Sequence, residues 1–150
     1  MTVAGETIDD LHALVESRLR GIDQRYTAGR RAIVDLLARV GHPVSIGDIA
    51  DGLPGLPRSS AYRHLVDLQA AGVVRRVAAN DDFARFEFAE DLTEHHHHLL
   101  CVSCGKVIDI TPSPLFERTI ARQLDALAEE EGFQPHSHRV DVLGVCATCQ

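Results

Sequence analysis

The residues best equipped for chemistry lie in one stretch, EHHHHLLCVSCGK, residues 94–106. Four consecutive histidines are followed by a C-x-x-C pair, Cys101 and Cys104, and a second pair, Cys146 and Cys149, lies some forty residues on. No other cysteine occurs. In a reducing compartment two such pairs favour metal over disulfides. Zinc takes four thiolates in a closed tetrahedral site, and each C-x-x-C supplies two of them from one tight turn. The long separation requires the chain to leave the first pair, build a subdomain and return. The histidine run is internal and followed by apolar residues that belong to a fold, which argues against a purification tag.

Side chains alternate between the two faces of a strand. With residues 95–102 extended, His95 and His97 point one way and His96 and His98 the other, so one run supplies two ligand pairs back to back. The competing reading is a polar, solvated strand start. Each pair needs further donors, and the candidates are His136, His138, Glu117, Glu87, Asp109 and His42. With the cysteines used elsewhere, the remaining donors are nitrogen and oxygen. Such a set suits zinc, iron(II), manganese or nickel.

These side chains need elements to position them. Apolar stripes at helical spacing occur over residues 7–20 and 27–40, with Thr7 or Asp9 and Thr27 as N-caps and Gly21 and Gly41 as stops. Ser45 and Asp48 form a capping-box pattern over SIGDIADGL. The segment PRSSAYRHLVDLQAAG then puts Ala61, Leu65, Leu68 and Ala71 on one face and Arg58, Ser59, Ser60, Tyr62 and Arg63 on the other. VVRRVAANDDFARFEFA reads as a hairpin around the turn AANDD. Helices followed by a hairpin make a winged helix-turn-helix, whose recognition helix offers small polar and basic groups to the major groove. A plain three-helix bundle is the alternative.

After the polar connector EDLTE, residues 90–94, HHHHLLCV and KVIDI form two strands, residues 115–131 an amphipathic helix, and HSHRVDVLGVCATC a third strand carrying His136 and His138. The fold class is therefore α+β: a winged-helix DNA-binding domain over 1–89, a hinge over 90–94, and a small α/β metal-binding domain over 95–150. Zinc offsets the small core of the second unit, because metal binding there contributes directly to folding.

At 45% hydrophobic and 25% charged, the composition is that of a soluble globular chain. No apolar run suits a membrane span, and MTVAGETIDD lacks a basic leader, so the expected location is the cytoplasm. The net charge of −7 argues against indiscriminate nucleic-acid binding. Residues 58–76, however, carry Arg58, Arg63, Arg75 and Arg76 against Asp67 alone. No H-E-x-x-H and no Ser/His/Asp or Cys/His constellation supports an enzyme.

Taken together, SSAYRHL, HHHHLLCVSCGKVIDI and GFQPHSHRVDVLGVCATC resemble the ferric uptake regulator (Fur) superfamily from about Tyr26 to Cys149. The resemblance implies a homodimeric, metal-dependent transcriptional repressor of metal-homeostasis genes, acting on palindromic double-stranded operator DNA. It implies a structural zinc on Cys101, Cys104, Cys146 and Cys149, and a regulatory Zn(2+) or Fe(2+), with Mn(2+) also open. It implies a hinge site of Glu87, His96 and His98 with His42 from the loop before the third helix. Pro43 stands two residues before Ser45, so His42 is one residue displaced from the family's position. A second site is implied at His95, His97, Glu117 and His138. Tyr62 and Arg63 match the V-Y-R that approaches DNA, with Ala61 for valine, and Arg30 and Arg31 match a phosphate-facing T-x-x-R region. The alternatives are a peroxide-, manganese- or nickel-sensing member, or a zinc metalloprotein that binds no DNA. Histidine protonation should weaken the metal response below roughly pH 6.

Overall fold

In the computed structural model, residues 7–77 and 84–150 are described. The turn AANDD expected within the hairpin lies outside them.

Local signals fix the helices of the first half. Helix α1 (Ile8–Arg20) starts at Thr7, whose hydroxyl accepts the Asp10 N–H while the Asp10 carboxylate accepts the Thr7 N–H. That reciprocal bonding satisfies two otherwise orphaned donors. Helix α2 (Ala28–Val40) starts at Thr27 and stops at Gly41, which adopts φ 67°, a left-handed conformation that glycine enters without a Cβ penalty. After the two-residue strand β1 (Val44–Ser45), Ser45 and Asp48 form the expected capping box on α3 (Ile46–Gly52). Pro57 sits just ahead of α4 (Arg58–Ala70) rather than in its first turn, and provides no side-chain cap. Strands β2 (Val74–Val77) and β3 (Arg85–Phe88) pair antiparallel, and β1 adds to β3 in the order β1-β3-β2. Leu11, Val15, Leu19, Ile33, Leu37, Ile49, Leu65, Leu68 and Phe88 bury the facing surfaces in one core. Hydrophobic burial of this kind is the main favourable contribution to folding.

The connector is more than polar tether. It forms a 3-10 turn at Glu90–Leu92 whose Leu92 enters that same core. Asp91 pairs with Arg18 of α1, so the connector is docked on the first half.

The second half has strand order β5-β4-β6, with β4 (His97–Cys101), β5 (Val107–Ile110) and β6 (Asp141–Gly144). β4 and β5 are an antiparallel hairpin, whereas β6 runs parallel to β4. A parallel neighbour requires a long crossover. Helix α5 (Pro114–Glu130), started by Ser113, supplies it. The third strand was expected from His136; it begins at Asp141, leaving His136 and His138 in the approach segment. No residue of α5 is buried, and its apolar stripe, with Leu143 of β6, faces outward.

Candidate metal centres

The thiolate cluster follows from strand register. β4 and β6 pair with Cys101 opposite Gly144, so Cys146 is two residues beyond that contact. The turn after β4 brings Cys104 beside it, and Cys104 Sγ lies 3.8 Å from Cys146 Sγ. All four thiols are free. A disulfide would hold the sulfurs about 2 Å apart. Tetrahedral zinc with bonds of about 2.3 Å separates its sulfurs by about 3.8 Å, so the donor set fits zinc. Backbone N–H groups, that of Cys146 first, bring the Cys101 thiol down to about 6, whereas Cys104 and Cys146 push the neighbouring Cys149 up to about 12. One thiolate forms readily at neutral pH, and four sulfurs this close do not all ionise without a cation.

The inner cluster joins the two halves. Glu87 comes from β3, and its Oε2 lies 3.1 Å from His96 Nε2 and 3.3 Å from His98 Nε2. Asp109 Oδ1 lies 3.8 Å from the same His98 nitrogen. One ligand atom from each of these four residues falls within 4.8 Å of the others. Glu87, His96 and His98 are buried. Burial would raise the Glu87 pKa, but hydrogen bonds from His96 and His98 and the charge of Arg75 hold it at about 2.

Backbone and carboxylate acceptors fix the imidazole rings. His96 Nδ1 donates to Glu94 O at 2.8 Å and His98 Nδ1 to Asp141 Oδ1 at 2.9 Å. Each Nε2 is thereby aimed at the cluster centre, because an acceptor on the far nitrogen fixes both the tautomer and the ring orientation of a metal-binding histidine. A ring that already donates through Nδ1 can donate again to Glu87 only as imidazolium. The Glu87 hydrogen bond raises the His96 pKa; for His98, burial opposes the charge but Glu87 and Asp141 together raise it. An ion entering here exchanges for protons.

The outer cluster lies on the opposite side of the run. His97 Nε2 is 2.9 Å from Glu117 Oε1, while His95 Nε2 and His138 Nε2 are 3.4 Å and 3.2 Å from Glu117 Oε2. His95 Nε2, His97 Nε2 and Glu117 Oε1 are buried and make no hydrogen bond despite this proximity. Buried polar atoms that converge without hydrogen-bonding to one another suit a cation between them. His95 Nδ1 is fixed by Glu90 Oε1 at 2.6 Å. His97 differs: the Val140 N–H donates to its Nδ1 at 3.4 Å, which leaves the neutral ring's proton on the nitrogen facing Glu117. Burial lowers the His97 pKa.

The expected alternation of His95/His97 and His96/His98 therefore appears, although His95 and His96 precede β4. His42 is not brought into the inner cluster. Its Nδ1 lies 3.1 Å from Pro43 O, and Asp109 stands in the fourth place. That place was legible, because antiparallel pairing across the C-x-x-C turn puts His98 opposite Asp109. Asp141, as the support of His98, was not, since it depends on the parallel β4–β6 pairing. His136 lies exposed outside both clusters.

On α4, Arg58, Ser59, Tyr62 and Arg63 are exposed and Ser60 is half-buried, forming the anticipated polar face. Arg31 is also exposed and lies over the Tyr26 ring at 4.7 Å. Arg30 requires a correction. It is 6% exposed, pairs with Asp67 of α4, and bonds Gln24 Oε1 and Arg25 O. It braces α2 against α4 and does not present its charge to a phosphate.

A family model described as the ferric uptake regulator family matches residues 22–143. The peroxide-responsive repressor PerR of Staphylococcus aureus is 29% identical, over 100% of this chain and 99% of its own. The Helicobacter pylori ferric uptake regulator Fur, described with three functional metal binding sites, superposes with TM-score 0.79 at 22% identity, covering 99% of this chain and 97% of its own. A zinc-bound manganese uptake regulator superposes with TM-score 0.62 at 26% identity, covering 94% and 99%.

Proposed function

The chain belongs to the ferric uptake regulator family, and from that premise we propose a metal-dependent, DNA-binding transcriptional repressor whose switch is the inner cluster. It is a regulator, not an enzyme. The observation that carries the reading is the origin of the inner donors. Glu87 belongs to the winged-helix sheet, while His96, His98 and Asp109 lie beyond the connector. An ion shared by both units favours the arrangement in which they are held together, by its difference in affinity for the two arrangements.

The thiolate cluster is the structural zinc site, and His95, His97, Glu117 and His138 are a second dication site. We take 1–89 as the DNA-binding unit, 90–94 as the hinge and 95–150 as the dimerisation unit. The exposed large apolar side chains of α5 and β6, Leu115, Phe116, Leu124, Leu127, Val142 and Leu143, support a homodimer, because exposed apolar surface of this kind marks interaction sites. Two copies present two recognition helices to a palindromic operator, with Arg58, Ser59, Ser60, Tyr62, Arg63 and Arg31 toward the DNA. No described helix is long and apolar enough to cross a membrane. The repressor acts in the cytoplasm on zinc- or iron-homeostasis genes.

The test is operator binding by purified protein titrated with zinc, iron(II) and manganese, at stated salt. Metal-dependent, palindrome-specific binding is expected. Absence of binding to palindromic promoter DNA with metal loaded overturns the reading. Loss of binding when the iron-loaded protein meets peroxide would make it a peroxide responder.

A further inference from the structure

Glu87 meets the inner cluster with one oxygen only. Its Oε2 faces both imidazoles, while its Oε1 accepts from Arg75 Nε at 2.6 Å. Arg75 stands directly across the wing sheet from Glu87, in register β2 to β3. Its Nη1 lies 3.5 Å from Glu90 Oε2, so the guanidinium is held between two carboxylates and is largely covered. Charge-assisted bonds of this kind are among the stronger ones in proteins. Glu117 in the outer cluster is the contrast, with both oxygens turned toward histidines.

A carboxylate binds a dication through one oxygen or through both. We propose that Arg75 is a metal-selectivity residue: by holding Glu87 Oε1 it keeps Glu87 a one-oxygen ligand and biases the inner cluster toward a four-coordinate dication such as zinc. This rests on the inner cluster being the regulatory site. The dimensions agree with it. Donor separations of 3.1, 3.3 and 3.8 Å surround the edge of about 3.4 Å expected for tetrahedral zinc with nitrogen and oxygen ligands. Manganese favours an octahedral, oxygen-rich shell and would draw on the oxygen that Arg75 holds.

The experiment uses the full chain with zinc in the thiolate site and cobalt(II) as the probe, in a Glu117→Ala background that removes the outer site. Four-coordinate cobalt absorbs strongly in the visible, and higher-coordinate cobalt weakly. Arg75→Ala should weaken the band per bound cobalt and shift the zinc-over-manganese affinity ratio toward manganese by about tenfold or more. Arg75→Lys, which still donates one bond to Glu87, should fall between. An unchanged band and ratio in both variants overturns the proposal. Should Arg75→Ala lose its helical signal or its thiolate-site zinc, Arg75→Lys decides alone, and no shift there overturns it. A cobalt band that survives His96→Ala with Arg75 intact overturns the switch assignment and this proposal together. A band that needs His96 but ignores Arg75 overturns the selectivity alone.

Discussion

Two clusters share one histidine run and differ in nearly every physical respect. The inner one has its glutamate and both histidines buried, draws from both halves of the chain, and has both rings oriented by acceptors on Nδ1. The outer one is partly open, lies wholly beyond the connector, and has one ring, His97, whose Nδ1 is approached by a donor. To bind an ion through Nε2, neutral His97 must move its proton to Nδ1 and lose the Val140 bond, a cost of order 1 kcal/mol. Alternation along one segment thus yields a site built to transmit between units and a site confined to one of them.

The largest expected effect tests that division directly. Glu87→Ala or His98→Ala should abolish metal-dependent operator binding, with metal affinity at the inner site falling about a hundredfold or more. Glu117→Ala should remove one ion from the bound stoichiometry yet leave a metal-dependent operator complex. Gel-shift titration beside metal analysis measures both. Equal loss in the two variants would mean that the clusters act as one switch.

Protons should separate the clusters next. The folded pKa values of His96 and His98 are raised above 6.5. Their contribution to the metal-free fold is therefore complete below about 6.5 and lost as pH rises through the folded values. Glu87, depressed to about 2, contributes above its ordinary range near 4.5 and loses that contribution as pH falls toward 2. Metal-free protein should thus have its highest melting temperature between about pH 4.5 and 6.5, and inner-site metal should cancel the decline above that window. Metal affinity runs the other way. As pH falls, inner binding should already weaken before pH 6.5 is reached, sooner than the value near pH 6 suggested by ordinary histidines, with up to about two protons displaced per ion. The outer cluster should hold metal to lower pH, because His97 is lowered. Calorimetric titration in buffers of different ionisation enthalpy reads the proton count.

How much of this was legible follows from which contacts are local. Thr7, Thr27 and Ser45 announce their helices because a cap acts within three residues. The splitting of the histidines was legible from strand alternation alone, and the thiolate cluster from spacing. Asp109 required counting hairpin register through the C-x-x-C turn. Asp141 required knowing that β6 runs parallel beside β4, a long-range pairing that no local pattern encodes. The burial of Arg30 depends on Asp67, which lies on another helix. A T-x-x-R pattern cannot tell a phosphate contact from a brace between helices. The Arg75–Glu87 pair follows from the antiparallel register across the wing.

Intermediate effects belong to the supporting groups. Asp141→Asn removes the carboxylate that fixes His98 and should cost the inner site about tenfold in metal affinity, whereas Glu90→Gln should cost the outer site less, because His95 is already partly exposed. Arg31→Ala should weaken operator binding and flatten its salt dependence by about one unit if it meets one phosphate. Arg30→Ala should instead lower the melting temperature, since it leaves Asp67 unpaired within the α2–α4 contact.

The smallest expected effect concerns His42. It lines a cleft of about 630 Å³ with Asp48, Arg85, Lys106 and Asp109, so it borders the inner cluster through Asp109 without joining it. Its Nδ1 is turned to its own neighbour, Pro43 O. Asp109 already supplies the fourth donor, and two cations, Arg85 and Lys106, share the cleft on that side. His42→Ala should therefore leave inner-site affinity within about twofold, the scale of a change that touches no ligand. A tenfold loss would mean that the loop before α3 closes onto the ion when metal binds. The winged helix would then contribute two donors, Glu87 and His42, instead of one, and the inner cluster would couple the two units more tightly than its present donor set does.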